Sequence, residues 1–306
     1  METSFYRLNL HIFKGRINKE NILIGGEFMI KSLQDTFVLH NGVKMPGFGL
    51  GVYKAADGEE VINAIKCAVN AGYRAVDTAA LYFNEDGVGE AIKQCGLPRE
   101  ELFITTKVWN SDQGYESTLA AFETSRNKLD VDYIDLYLIH WPVKEKYKET
   151  WRAMEELYRA GKVRAIGLSN FHQHHIEDLM TTAEIKPMVN QIEMHPALSQ
   201  VELRDYCYSQ DIVVTAWSPL GRGHLLDEPV LVGIADKHNK TVAQVILRWH
   251  IQNNVIVIPK STHEHRIIEN GDVFNFELNT EEMQVINALN ENRRFGQNPD
   301  NFHFDF

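Results

Sequence analysis

The sequence predicts an α/β fold, a (β/α)8 TIM barrel preceded by an N-terminal β-hairpin. Eight apolar, strand-like runs follow one another from residue 48 onward, separated by stretches with helical spacing. The series occupies about 230 residues, close to the ~250 that such a barrel takes. The main rival, a doubly wound sheet, usually opens its first helix with Gly-x-Gly-x-x-Gly. Here the glycines fall at Gly47, Gly49 and Gly51, which is the wrong spacing.

Residues 1–28 show no sustained period. Arg7, Asn9 and His11 interrupt the apolar residues, so no signal-peptide core forms. A clean start follows at Met29, and Gly25-Gly26-Glu27 just before it reads like a translated purine-rich ribosome-binding site. The expectation is a non-native or disordered leader over 1–28 and one barrel domain over 29–306. Asn41-Gly42 between FVL and VKM predicts a hairpin over 36–48. The predicted strands are FGLGVY (48–53), YRAVDTA (73–79), LFITTKV (102–108), IDLYLIH (134–140), VRAIGLS (163–169), MVNQIE (188–193), VVTAWSP (213–219) and VIVIPK (255–260). Helical spacing runs over 60–69, stopped by Gly72; over 147–160, stopped by Gly161; and over 242–251, led by Thr241 as N-cap.

The chain has 306 residues, 44% hydrophobic and 24% charged, the composition of an ordinary globular protein. A net charge of −11 argues against nucleic acid or an anionic membrane surface as a main partner. No apolar run approaches the ~18 residues of a membrane span. The cysteines, Cys67, Cys95 and Cys207, are few, odd in number and without CxxC spacing, which predicts a reducing, cytoplasmic setting. No self-complementary surface is evident, so a monomer is the default expectation.

Chemistry-bearing residues fall where barrel strands end. Asp77 ends the second strand, Lys107 the third and His140 the fourth, while Tyr82 follows on the loop after the second. Singly, each has a bland reading: a turn cap, a surface lysine, a core histidine, a loop aromatic. Together they make a set suited to carbonyl reduction. Tyr82 is the proton donor, Lys107 lowers its pKa, Asp77 holds Lys107 charged, and His140 orients the carbonyl oxygen. Ser169, Asn170 and Gln191 can hydrogen-bond a carboxamide, and Trp217 can stack on a flat ring. Lys260, Ser261 and Arg266 bring two cations and a hydroxyl together after the eighth strand, a phosphate site whose second cation favours NADP over NAD. The histidines of FHQHH (171–175) have no carboxylate or cysteine at ligand spacing nearby, so no metal is expected.

The strings GYRAVDTAALYFNE (72–85), KLDVDYIDLYLIHWP (128–142), GLSNF (167–171) and IPKS…R…EN (258–270) resemble the aldo-keto reductase family. The resemblance runs from about Met29 onward. It implies a barrel with no separate dinucleotide domain, NADPH as hydride donor, and Tyr82, Lys107, Asp77 and His140 as the catalytic set. It also implies cofactor contacts at Gly51, Val52, Ser169, Asn170, Gln191 and Trp217. Further contacts are implied for the pyrophosphate at Ser218, Leu220 and Gly221, for the 2′-phosphate at Lys260, Ser261 and Arg266, and for adenine at Glu269 and Asn270. The closest likeness is to bacterial glyoxal, methylglyoxal and diketogluconate reductases. Tyr53, Trp109 and Trp141 then stand, with His140, as substrate walls. The segments 221–229 and 295–306 are short, so a permissive site with little chain to cover it is expected, acting on small aldehydes, ketones and α-dicarbonyls. The alternatives are a cofactor-binding regulatory module with little turnover and a metal-dependent barrel hydrolase.

Overall fold

The computed structural model describes residues 29–304. The predicted leader lies outside the described residues. The hairpin forms from β1 (Thr36–Val38) and β2 (Lys44–Pro46), paired antiparallel with Phe37 opposite Met45. Gly42 turns the chain at φ +87°, a conformation that Asn-Gly turns supply cheaply. His40 and Asn41 reach the carbonyls of Lys186 and Arg164, near the starts of two barrel strands, so the hairpin caps the N-terminal end of the barrel.

Eight parallel strands follow: β3 (Leu50–Gly51), β4 (Ala75–Asp77), β5 (Phe103–Val108), β6 (Ile134–Ile139), β7 (Val163–Ser169), β8 (Val189–Glu193), β9 (Val213–Trp217) and β10 (Ile256–Val257). Each pairs with its neighbour in the chain. Isolated parallel bridges between Phe48 and Val257 and between Gly51 and Lys260 close the circle. The strands are almost wholly buried, because each is covered by the barrel interior on one face and by helices on the other. The first and last are shorter than their apolar runs. Pro259 has no N–H to give the ladder. Gly51 is where two backbones meet: a Cβ there would lie 2.7 Å from Ile258 O.

Helices α1 (Glu59–Asn70), α2 (Glu85–Gln94), α3 (Tyr115–Leu129), α4 (Tyr147–Arg159), α5 (Gln173–Met180) and α6 (Val201–Ser209) alternate with the strands. Helices α7 (Pro229–His238) and α8 (Val242–Gln252) precede β10, and α9 (Glu264–Gly271) and α10 (Thr280–Asn287) follow it. The predicted helices match α1, α4 and α8. Thr241 caps α8 reciprocally with Gln244, satisfying two otherwise unpaired amides. Among the described residues no helix is long and apolar enough to cross a membrane.

Candidate active site

The carboxyl ends of the strands bring the four predicted groups together. Lys107, one residue from the end of β5, has no solvent exposure. Its ammonium has three protons and three acceptors: Asp77 Oδ1 at 2.6 Å, Thr78 O at 2.9 Å and Tyr82 Oη at 3.5 Å. The other Asp77 oxygen accepts from Gln191 Nε2 at 2.7 Å, so both carboxylate oxygens are engaged. Tyr82 sits on a single 3-10 turn whose far side is tied down by the buried Asn84. That amide accepts from Thr78 Oγ1 at 2.8 Å and donates to Val52 O and Ala55 O. Asn84 therefore fixes the loop carrying the phenol against the loop after β3, a role with no local sequence signal.

One expectation is reversed. Lys107 does not pull the Tyr82 phenol down; burial, then the charge of Asp77 and the neighbouring Tyr53, push it well above its ordinary value. Asp77 holds the ammonium at 2.6 Å, while the phenol lies at the edge of its reach at 3.5 Å. The phenol therefore rests in its protonated form, the one a proton donor must start from.

His140 packs edge-on between Tyr82 and Trp109, with ring centroids 5.9 and 5.1 Å away. Burial and then the Lys107 charge hold it well below its ordinary value, so the ring is neutral. Its Nδ1 is buried and without a partner. A proton there would be an orphaned N–H, so the proton belongs on Nε2, the nitrogen left for the cavity that His140 lines.

His250, in α8, is likewise kept neutral by burial, down to about 3. In the unfolded chain both rings titrate near ~6.5. Below that pH the unfolded state binds protons that the fold refuses, so stability is lost as pH falls, roughly 1.4 kcal/mol per ring per pH unit. Urea unfolding at pH 7 and pH 5 is expected to show the loss. A flat response would mean that the rings charge within the fold.

A cavity of about 490 Å³ opens over these groups. Of the predicted cofactor contacts, Gly51, Ser169, Asn170, Gln191, Trp217, Ser218 and Lys260 line it. Val52 lies behind, donating to Asp77 O. Leu220, Gly221, Ser261, Arg266, Glu269 and Asn270 lie beyond the lining. Asn170 is already committed: its amide donates to His140 O at 2.9 Å and Ser169 Oγ at 3.1 Å, and it accepts from Trp217 Nε1 at 2.8 Å. Both donor hydrogens are thus spent on positioning His140 and Ser169. Lys260 and Arg266 are exposed and make no ion pair among the described residues, although the chain has acidic groups in excess. Two unpaired cations in such a chain fit a phosphate. Arg222, not singled out by sequence, also lines the cavity, 5.8 Å from the Trp217 ring.

On the substrate side, Tyr53 packs tilted against Tyr82 with ring centroids 5.0 Å apart, and Trp141 lines the cavity. Trp109 backs His140 rather than lining the space. The expectation of little covering chain is overturned. Phe295, Gly296, Gln297 and Phe304 all line the cavity, and Phe302 and Phe304 pack on Trp141 and Trp109. The chain can return there because the fully buried Glu193, at the end of β8, accepts from Phe295 N at 2.6 Å and Gly296 N at 2.9 Å. Gly296 is required for the fit: a Cβ would lie 2.4 Å from the Trp217 ring. The same segment corrects the reading of FHQHH, because Asp300 places a carboxylate beside His172, His174 and His175.

Comparison with known proteins gives the family. The profile of the aldo/keto reductase family matches residues 47–291. The chain belongs to the aldo/keto reductase family. It is an oxidoreductase with the barrel of that family. The glyoxal reductase of Bacillus subtilis (strain 168) is 63% identical over 276 residues, which are 90% of this chain and 100% of the relative. The methylglyoxal reductase DkgA of Escherichia coli (strain K12) is 45% identical over 268 residues, 86% of this chain and 96% of the relative. Among solved structures, a Gox0644 variant in complex with NADPH superposes with a TM-score of 0.84 at 43% identity, covering 91% of this chain and 100% of that one.

Proposed function

We propose that the protein is an NADPH-dependent reductase of small aldehydes, ketones and α-dicarbonyls of the glyoxal and methylglyoxal type. The observation that carries the reading is the contact chain Asp77–Lys107–Tyr82 beside a neutral His140 at one cavity. NADPH, when bound, supplies a hydride to the carbonyl carbon. Tyr82 gives its proton to the carbonyl oxygen. Lys107 stabilises the phenolate as it forms, and Asp77 keeps Lys107 charged and aimed. Nε2–H of His140 donates to the carbonyl oxygen and sets its direction. The cofactor contacts in this reading are those named from the sequence, with Gly51, Val52 and Trp217 near the reactive ring, and Lys260, Ser261 and Arg266 on the 2′-phosphate. We take the enzyme to be a cytoplasmic monomer without a nucleic-acid partner.

NADPH oxidation with methylglyoxal tests the reading; no turnover across a panel of aldehydes, dicarbonyls and keto sugars would refute it. Arg266→Ala is expected to weaken NADPH binding about 10- to 100-fold, the worth of one or two charge-assisted hydrogen bonds, and to leave NADH nearly unchanged. Fluorescence titration with both nucleotides checks this, and equal losses would remove Arg266 from the phosphate site.

A further inference from the structure

The segment 294–304 crosses the rim and is tied at two points. Glu193 holds the first, with Arg294 Nη1 3.6 Å from its second oxygen. Asp300 makes the second. Its Oδ1 accepts from His172 Nδ1 at 2.9 Å and lies 3.2 Å from His174 Nε2 and 3.8 Å from His175 Nε2. Arg294 links the two ties by donating to His172 Nε2 at 2.8 Å. Beyond them, Gln297 and His303 exchange hydrogen bonds of 2.7 and 2.9 Å, which leaves Phe302 and Phe304 against the tryptophans.

Three imidazoles and a carboxylate within 4.8 Å invite a metal ion. The protons argue against one. Arginine can only donate, so His172 Nε2 is an acceptor and the His172 proton sits on Nδ1. His175 Nδ1 accepts from the His172 backbone N–H at 3.1 Å, so its proton sits on Nε2. Both rings therefore aim N–H groups at Asp300, where a cation needs lone pairs. A metal-bound histidine normally donates its outer N–H to an acceptor, and here both outer partners are donors. The cluster is built to grip a carboxylate.

We propose that Asp300 is a positioning residue for the substrate wall: latched on the imidazole N–H groups at the start of α5, it holds Phe302 and Phe304 over Trp141 and Trp109, and so gives aryl carbonyl substrates an added affinity that small ones do not need. This rests on the reductase reading above. Phe304 and Trp141 line the same cavity as Tyr82 and His140, so the ring of a benzaldehyde has aromatic surface to pack on where its carbonyl meets the acid. Methylglyoxal has no ring to place there, so it gains little from the latched wall.

The test compares wild type, Asp300→Ala and Asp300→Asn on para-nitrobenzaldehyde and methylglyoxal, with amide hydrogen exchange of residues 301–304 measured in parallel. Asp300→Ala is expected to raise KM for the aryl aldehyde about tenfold, to raise it much less for methylglyoxal, to change kcat little, and to speed exchange. Asp300→Asn keeps an oxygen acceptor for His172 and should recover most of both effects. Equal KM changes on the two substrates, unchanged exchange in Asp300→Ala, or an asparagine variant as impaired as alanine would each overturn the proposal. So would zinc chloride slowing exchange in the wild type, which would favour a metal. If the wild type reduces neither substrate, the reductase reading fails, while the exchange data still report the latch.

Discussion

Tyr82→Phe is expected to lower kcat by about 10²- to 10⁴-fold while NADPH binds as in the wild type. The substitution removes one oxygen and little volume, so the ring keeps its packing against Tyr53 and His140. What disappears is a proton held ready. Burial pushes the phenol well above its ordinary value, so at neutral pH the resting molecule carries the acid. No other group described at the site can replace it. His140 is neutral, and losing its Nε2 proton would leave an imidazolate. Lys107 is enclosed by Asp77 and Thr78. Single-turnover kinetics with NADPH in excess would separate the chemical step from binding, and turnover within about threefold of wild type would dismiss Tyr82 as the donor.

Lys107→Met is expected to cost stability as well as turnover. The lysine is fully buried, and its removal leaves the Asp77 carboxylate with Gln191 as its remaining side-chain partner. Breaking a buried pair from one side costs about 3–5 kcal/mol, because the surviving charge has lost its compensation. Replacing both partners removes the charge altogether, so Asp77→Asn combined with Lys107→Met should recover much of the stability. It should recover none of the turnover, since nothing then stabilises the forming phenolate. Urea unfolding and kcat on the single and double variants read the two effects separately. A double variant as unstable as Lys107→Met would show that the cost lies in packing rather than charge.

The barrel was legible because a strand buried on both faces must be largely apolar, and runs such as IDLYLIH and VRAIGLS, with one charged residue each, leave little choice. Asp77, Lys107 and His140 were legible for a related reason. A polar group at the end of such a run has to be compensated, and compensation at several strand ends marks a site. Glu193 ends its strand in the same way, yet carries no local signal, since the amides it holds lie about a hundred residues downstream. His172 and Asp300 are separated by 128 positions, and no local period connects them. The direction of the Tyr82 shift was not legible either, because it turns first on how deeply the phenol is buried and then on the carboxylate beside it.

The ring of strands is completed at β3 and β10 by two isolated pairings, where most other neighbours share a continuous ladder. Gly51 stands on one side of that joint and Lys260 on the other. A dinucleotide touching both would act as a clasp across it, turning affinity into resistance against springing open. Survival of the enzyme against proteases would then follow the cell's supply of cofactor as closely as it follows the quality of the core.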